Sequence, residues 1–429
     1  MKTLWDTLAT KTRKHKGLNL SIFGILVPLW LILPANLLGI DFEPLGFLDT
    51  YHAVVLNDPH DFLSSRTRLR FEMWITGEDA FLFTSMNAIN NNVISSNSGI
   101  ELREAFIDYS SDNCDIRIGR QLIIWGKADG LEITDIISPK DYSEFLAQDF
   151  DDIRLPIDAL KFRFLFEQTN LELIWLPVFK PAILPPADSP WEMKYETHDF
   201  YEEWFPTVEP EMSLKNSEIA AKISTYQSGF DLAITAFHSW EDIPTMHREV
   251  YKTESVIDSV YYFPEHHRLS FLGFEFSIPH KDFVFRVESA FYKDRYFQPA
   301  SMHTESLFRR NELNWMLGID WSPGNNWSVT GQLADNFILD YDEKIKNDEH
   351  TFLSTLNVSK QLFRQTLKIF SMIYYGINDE EYFIRTGVDY ALTDELHLLT
   401  GIDLFCGDEG MLGQYNDNDE FWIKAKYSF

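Results

Sequence analysis

Residues 66–76 carry the pattern that most constrains what this chain can fold into. Arg66, Arg68, Arg70, Glu72 and Trp74 alternate with Thr67, Leu69, Phe71, Met73 and Ile75, so an extended backbone places charge on one face and apolar side chains on the other. Residues 160–166 set Lys161 and Arg163 against Leu160, Phe162, Phe164 and Phe166, and residues 313–321 set Asn314, Gly318 and Asp320 against Leu313, Trp315, Leu317, Ile319 and Trp321. In 327–336, Ser328, Thr330, Gln332 and Asn336 point away from Trp327, Val329 and Leu333. None of these windows has the period of an amphipathic helix. Segments of this kind start near Gly46, Arg66, Ala80, Glu101, Asp115, Ala159, Leu171, Glu218, Phe230, Arg268, Asp282, Glu312, Trp327, Phe352, Thr366, Tyr382, Leu396 and Glu420, eighteen in all. The one from Gly46 is the weakest, and sixteen is the fallback count. Each is about nine to twelve residues long, which is what a tilted strand needs to cross a bilayer.

Connection lengths sharpen the reading. Short, turn-forming links at 77–79, 111–113, 168–170, 227–229, 279–281, 323–326 and 393–395 alternate with long ones at 90–99, 126–158, 180–217, 241–267, 293–310, 337–350 and 406–419. A soluble sandwich has no reason to keep such an alternation, whereas a barrel inserted from one side of a membrane does. The expected fold is therefore all-β: a single transmembrane antiparallel barrel of about 18 strands over residues 40–429, both termini periplasmic. Cys114 then falls at a short turn and Cys406 at the opposite rim, separated by a hydrocarbon thickness of roughly 25 Å, so they do not pair.

Composition agrees with two-faced strands. Aromatics make up 15% of the chain, yet the mean hydropathy is −0.21, so apolar and polar residues are interleaved rather than massed into helical spans. The formal charge of −29 becomes about −33 without the first 39 residues, which hold five Lys/Arg and one Asp. That balance excludes nucleic acid as a partner. Lys11, Arg13, Lys14 and Lys16 precede an apolar run at 18–38 broken by Pro28 and Pro34. Residues 1–39 read as a secretory signal cleaved after Ala35 or Gly39, with a retained membrane helix as the alternative. At the other end, Phe421, Ile423, Ala425, Tyr427 and Phe429 alternate with Trp422, Lys424, Lys426 and Ser428. A last strand ending on Tyr427 and Phe429 resembles the terminal signal of Gram-negative outer-membrane barrels, which makes the barrel-assembly machinery and outer-membrane lipid the expected partners.

The connection after the fifth strand differs from the rest. It carries Gly119-Arg120-Gln121, then 125–130 (Trp-Gly-Lys-Ala-Asp-Gly), Thr134-Asp135-Ile136, 149–156 (Asp-Phe-Asp-Asp-Ile-Arg-Leu-Pro) and, further on, Trp175-Leu176-Pro177. Over residues 102–191 these motifs resemble a family of proteobacterial outer-membrane proteins catalogued as a domain of unknown function. The resemblance implies a barrel, with movement of lipids or other hydrophobic compounds as one expectation, and it implies no substrate. Read on its own residues, Ser138 caps a helix with Pro139 at its first position, and Tyr142, Phe145, Leu146 and Phe150 share one face of a helix reaching Asp152. The expectation is a loop folded into the lumen. There Arg120, Trp125, Lys127, Asp129, Glu132, Asp135, Asp149, Asp151 and Asp152 form a constriction, its acids facing the wall bases Arg66, Arg68, Arg70, Arg117, Lys161 and Arg163. Two roles stay open for these ions: a transverse field that orders polar permeants, or mutual pairing that only holds the loop. Arg120 breaks the parity of its strand, and Gly119 before it suggests a bulge.

No metal site is read at Asp129-Gly130, Glu132 and Asp135, which lack the register of an EF-hand. His238-Ser239 and His266-His267 come with no nucleophile elbow and no zinc-ligand spacing, and no haem-attachment motif is present. The chain therefore reads as a non-enzymatic, cofactor-free outer-membrane porin passing small solutes passively. The alternatives are transport of a hydrophobic compound, suggested by the aromatic loops at 191–204 and 251–263, and a surface adhesin or scaffold using the acidic loops.

Overall fold

The computed structural model describes residues 41–57, 59–145, 152–194 and 198–429; the signal segment, Leu146, Asp149, Phe150 and Asp151 lie outside them. Along the chain the strands are β1 (Asp41–Val55), β2 (Phe62–Thr76), β3 (Ala80–Asn91), β4 (Gly99–Ser110), β5 (Cys114–Gln121), β6 (Ile157–Phe166) and β7 (Thr169–Leu176). There follow β8 (Tyr201–Trp204), β9 (Glu218–Gln227), β10 (Phe230–Trp240), β11 (Thr245–Thr253), β12 (Val256–Glu265), β13 (Arg268–His280) and β14 (Phe283–Phe297). The last are β15 (Phe308–Trp321), β16 (Trp327–Ile338), β17 (His350–Leu362), β18 (Leu367–Gly376), β19 (Glu381–Ala391), β20 (Leu396–Cys406) and β21 (Glu420–Ser428). Eighteen of them form one antiparallel sheet in which each pairs with its sequence neighbour, and β21 pairs with β1 to close the cylinder. Closure leaves no strand edge unpaired, the condition for backbone inside a bilayer. The seam is finished by Gly46 and Phe429, which exchange two backbone hydrogen bonds of 2.9 Å.

The two faces of the wall follow the two-residue period. In β2, Arg66, Arg68 and Arg70 are buried inside while Leu69 and Phe71 stay exposed outside. Outward aromatics Tyr109, Phe166, Phe230, Phe283, Trp321, Trp327, Tyr390, Tyr427 and Phe429 are exposed near the rim that carries the short turns, as an interfacial girdle requires. Both ends of the barrel lie at that rim, since β1 starts and β21 ends there. Cys114 and Cys406 are free thiols at opposite rims. At the long-loop rim one connection departs from the alternation: residues 377–380 join β18 to β19 in four residues.

Two elements were not foreseen. β8, β11 and β12 form a separate three-stranded sheet built from the connections after β7 and β10. In addition, β3 and β4 slip register at Ser85/Met86, which leaves Arg103 as the extra residue of a bulge.

Candidate functional site

The connection between β5 and β6, residues 122–156, turns into the barrel. Its apolar residues Ile123, Trp125, Leu131, Ile133 and Ile137 are buried, and they share one cluster with inward wall residues Ala159, Ala220, Ala290, Ala334, Tyr292 and Met316. Alanines at these inward positions let the apolar side chains of the loop pack close against the wall. Glycine allows the close approaches. Gly126 (φ +86°) and Gly130 (φ +70°) adopt a conformation that disfavours a Cβ, and a Cβ on Gly130 would meet the Tyr374 hydroxyl at 1.9 Å.

Polar groups of the loop dock on the far wall. The Asp129 backbone donates to Gln332 (3.0 Å) and accepts from it (2.7 Å), and the Asp129 carboxylate accepts from Arg286 at 3.2 Å. Tyr374 donates to the Gly130 carbonyl (3.0 Å), and Thr134 donates to Glu288 (2.8 Å). Lys127 Nζ reaches Asp231 (3.0 Å) and Ser277 (2.8 Å), and its backbone N–H donates to Glu288. The returning limb docks near β2. Glu144 accepts from Ser64 (2.9 Å), Arg66 (3.5 Å) and Asn91. Asp152 lies 2.9 Å from Arg68, 3.2 Å from Arg70 and 3.9 Å from Arg103. Burial alone would raise the Asp152 carboxyl, but the three guanidinium groups outweigh it and hold it well below the usual carboxylate range. The loop thus crosses the lumen from β5 to β16 and β18 and returns to β2.

Several sequence expectations are corrected here. Residues 138–144 are not helical; a 3-10 turn begins at Phe145, and the remainder of the expected helix, 146–151, lies outside the described residues. Lys140 bridges Arg154 and Asp141 bridges Ile183 in extended backbone, and the Ser138 hydroxyl accepts from the Ile123 N–H rather than capping a helix. Tyr142 lies against Glu132 (2.9 Å), and Phe145 packs on Trp191 and Tyr415. Gly119 and Arg120 keep uninterrupted register with β4 and β6, so no bulge occurs there. Arg120 takes an outward position and pairs with Asp158 at 3.1 Å on the outer face, away from the constriction. Arg117, Lys161 and Arg163 face inward but meet wall acids Asp108, Glu172 and Asp115 instead of the loop. Asp135 and Glu132 are satisfied inside the loop, by Arg154 (2.8 Å) and Lys140 (3.4 Å). Among the expected acids, Asp129 and Asp152 reach wall bases.

Among the described residues, a cavity of ≈ 620 Å³ lies between the loop and the wall from β16 through β21 to β2. It runs from Tyr374 down to Lys368 and Lys426 near the short-turn rim, with Phe145, Asp152 and Ile153 on the loop side. Its charged lining is Arg70, Lys368, Arg385 and Lys426 against Asp152. Arg385 is held by Asp403 at 3.0 Å. Lys426 lies over Phe47 (4.4 Å) and Lys368 near Phe370 (5.8 Å), and neither pairs with a carboxylate among the described residues. Asp389, across the strand from Lys368, is bonded to His397 at 2.8 Å. Sequence reasoning missed Glu144, Arg286, Tyr374, Lys368 and Arg385. The signal for Arg286 was there in the inward parity of Arg286 and Glu288 within β14.

No curated protein sequence matches the chain. Among solved structures the fold is similar to Pseudomonas aeruginosa OccK2 (OpdF) in complex with glucuronate, at TM-score 0.53 and 10% identity, covering 91% of this chain and 96% of that one. It is similar to Acinetobacter baumannii OccAB1 at TM-score 0.53 and 8% identity, with the same coverages of 91% and 96%. At such identities the likeness is one of fold, that of porin-type outer-membrane barrels. Residues 84–349, spanning the in-folded loop and its docking residues Arg286, Glu288 and Gln332, match the family described as protein of unknown function (DUF1302), and the chain belongs to that family.

Proposed function

We propose that this protein is a passive outer-membrane channel for small polar solutes, with its termini on the periplasmic side and residues 122–156 setting the width of the passage. The observation that carries the reading is the loop crossing the lumen, bonded at both walls, with a cavity of ≈ 620 Å³ lined by both basic and apolar side chains beside it along β16–β21. The ion pairs of the loop hold it in place, and the permeant meets the unpaired bases of the opposite arc. With Lys368 and Lys426 forming no ion pair among the described residues and lying instead near Phe370 and Phe47, the passage favours anions despite a chain charge of −29. The test is the reversal potential of the purified protein in a planar bilayer under a salt gradient. A sign set by chloride supports the reading, and a sign set by potassium opposes it.

A second reading has one observation behind it. The three-stranded sheet and the residue after β8 expose Tyr201, Tyr251 and Phe205, with Tyr261 in edge-on or tilted contact with all three, an aromatic face suited to catching a hydrophobic compound. Under that reading the barrel is nearly closed to ions, so absence of conductance favours it.

A further inference from the structure

The link between β12 and β13 sets Glu265 and His267 against His247 of the preceding strand β11. His247 sits on β11, Glu265 ends β12, and His267 occupies the two-residue step into β13. The two imidazoles face each other with their Nε2 atoms 2.8 Å apart, and Glu265 Oε2 lies 3.8 Å from His247 Nε2. One ligand atom from each of the three residues falls within 4.8 Å of the others. His267 is fixed from behind: its ring stacks on Tyr296 at 4.0 Å, and its carbonyl accepts from the Glu241 N–H at 2.8 Å. His247 and Glu265 are more open, with side chains 34% and 53% exposed, so the cluster is reachable from solvent.

We propose that His247, Glu265 and His267 form a site for one divalent transition-metal ion of the zinc class on the long-loop cap of the barrel. Two imidazole nitrogens and one carboxylate oxygen are a borderline-soft set that selects such ions over Mg²⁺ or Ca²⁺. Around tetrahedral zinc, ligand atoms stand about 3.3 Å apart. The rings therefore need to separate by about 0.5 Å from their present contact, a movement side-chain torsions of an open His247 supply. Three protein ligands leave the fourth position to water. Bound there, the ion ties the β11–β12 hairpin to the wall at β13, so its consequence is a stiffer cap over one side of the mouth.

The test uses the untagged full-length protein in detergent, stripped with chelator and titrated with Zn²⁺, then Co²⁺ for its visible absorption, in the presence of millimolar Mg²⁺. One equivalent of Zn²⁺ should bind. His247→Ala and His267→Ala should each weaken it on the order of 100-fold, and Glu265→Gln on the order of 10-fold. His280→Ala, at the short-turn rim, should change nothing. Binding that Mg²⁺ abolishes would place the ion on the acidic surface and overturn the site, as would an affinity unchanged in His247→Ala. The wild-type titration decides the point even if one variant folds poorly.

Discussion

The lumen has two unlike arcs. Along β5 to β14 nearly every charge is matched: Arg163 with Asp115, Arg117 with Asp108, Lys222 with Glu275 at 2.6 Å, and Arg286 with Asp320 at 2.6 Å as well as with Asp129. The loop meets this arc at Asp231, Ser277, Arg286 and Glu288. Along β17 to β21, Lys368 and Lys426 form no ion pair among the described residues, since the aspartates across from them, Asp389 and Asp49, are bonded to His397 and Arg68, and this arc borders the open cavity. Desolvated charge must be neutralised where protein covers it, whereas charge beside water need not be. On the proposed channel function, the distribution of unpaired bases among the described residues therefore marks the side of the lumen along which a permeant would run.

Reversing the charge of the open arc should have the largest effect. Lys368→Glu with Lys426→Glu is expected to turn anion preference into cation preference, read as a change of sign in the reversal potential; an unchanged sign would place the path elsewhere. Next comes Asp152→Ala, which strips a shared acid from Arg68 and Arg70. It should cost about 2–3 kcal/mol of loop anchoring, seen as added single-channel noise and faster proteolysis of the loop. Gly130→Ala forces a positive φ and a clash with Tyr374; a loss of about 1–2 kcal/mol should loosen the tip and broaden the conductance histogram.

Acid should act late. Because the Asp152 carboxyl is held well below its usual range, the stability it gives is fully present above the ordinary aspartate value of about 3.9 and is lost only as pH falls through its depressed one. Channel noise should stay flat from pH 7 to about pH 4, and a rise by pH 5 would contradict the pairing. The smallest effect belongs to the matched arc: Arg163→Gln together with Asp115→Asn should leave selectivity unchanged, because the two charges already cancel and both are removed together.

The barrel was legible because two solvents act on alternate residues of every strand, a signal that survives without knowing any neighbour. Strand starts read from the sequence fall within about five residues of those observed, and Gly46, the weakest, sits inside β1. The loop was legible as in-folded from its apolar and acidic content, but not in its conformation. Ser138-Pro139 has the local form of a helix start, and extended pairing of Lys140 and Asp141 with Arg154 and Ile183 overrode it. Partners such as Gln332 and Tyr374 lie some 200 residues away, beyond any local pattern. The three-stranded sheet escaped for the same reason, since its strands come from two separate connections.

Replacing residues 128–152 by a short Gly/Ser linker and recording single-channel conductance tests the account at its centre. Removing the limb that bonds to Gln332, Tyr374, Arg68 and Arg70 should raise conductance severalfold while the barrel still folds to its heat-modifiable form. A folded variant with the conductance of the wild type would show that this loop does not set the width of the passage.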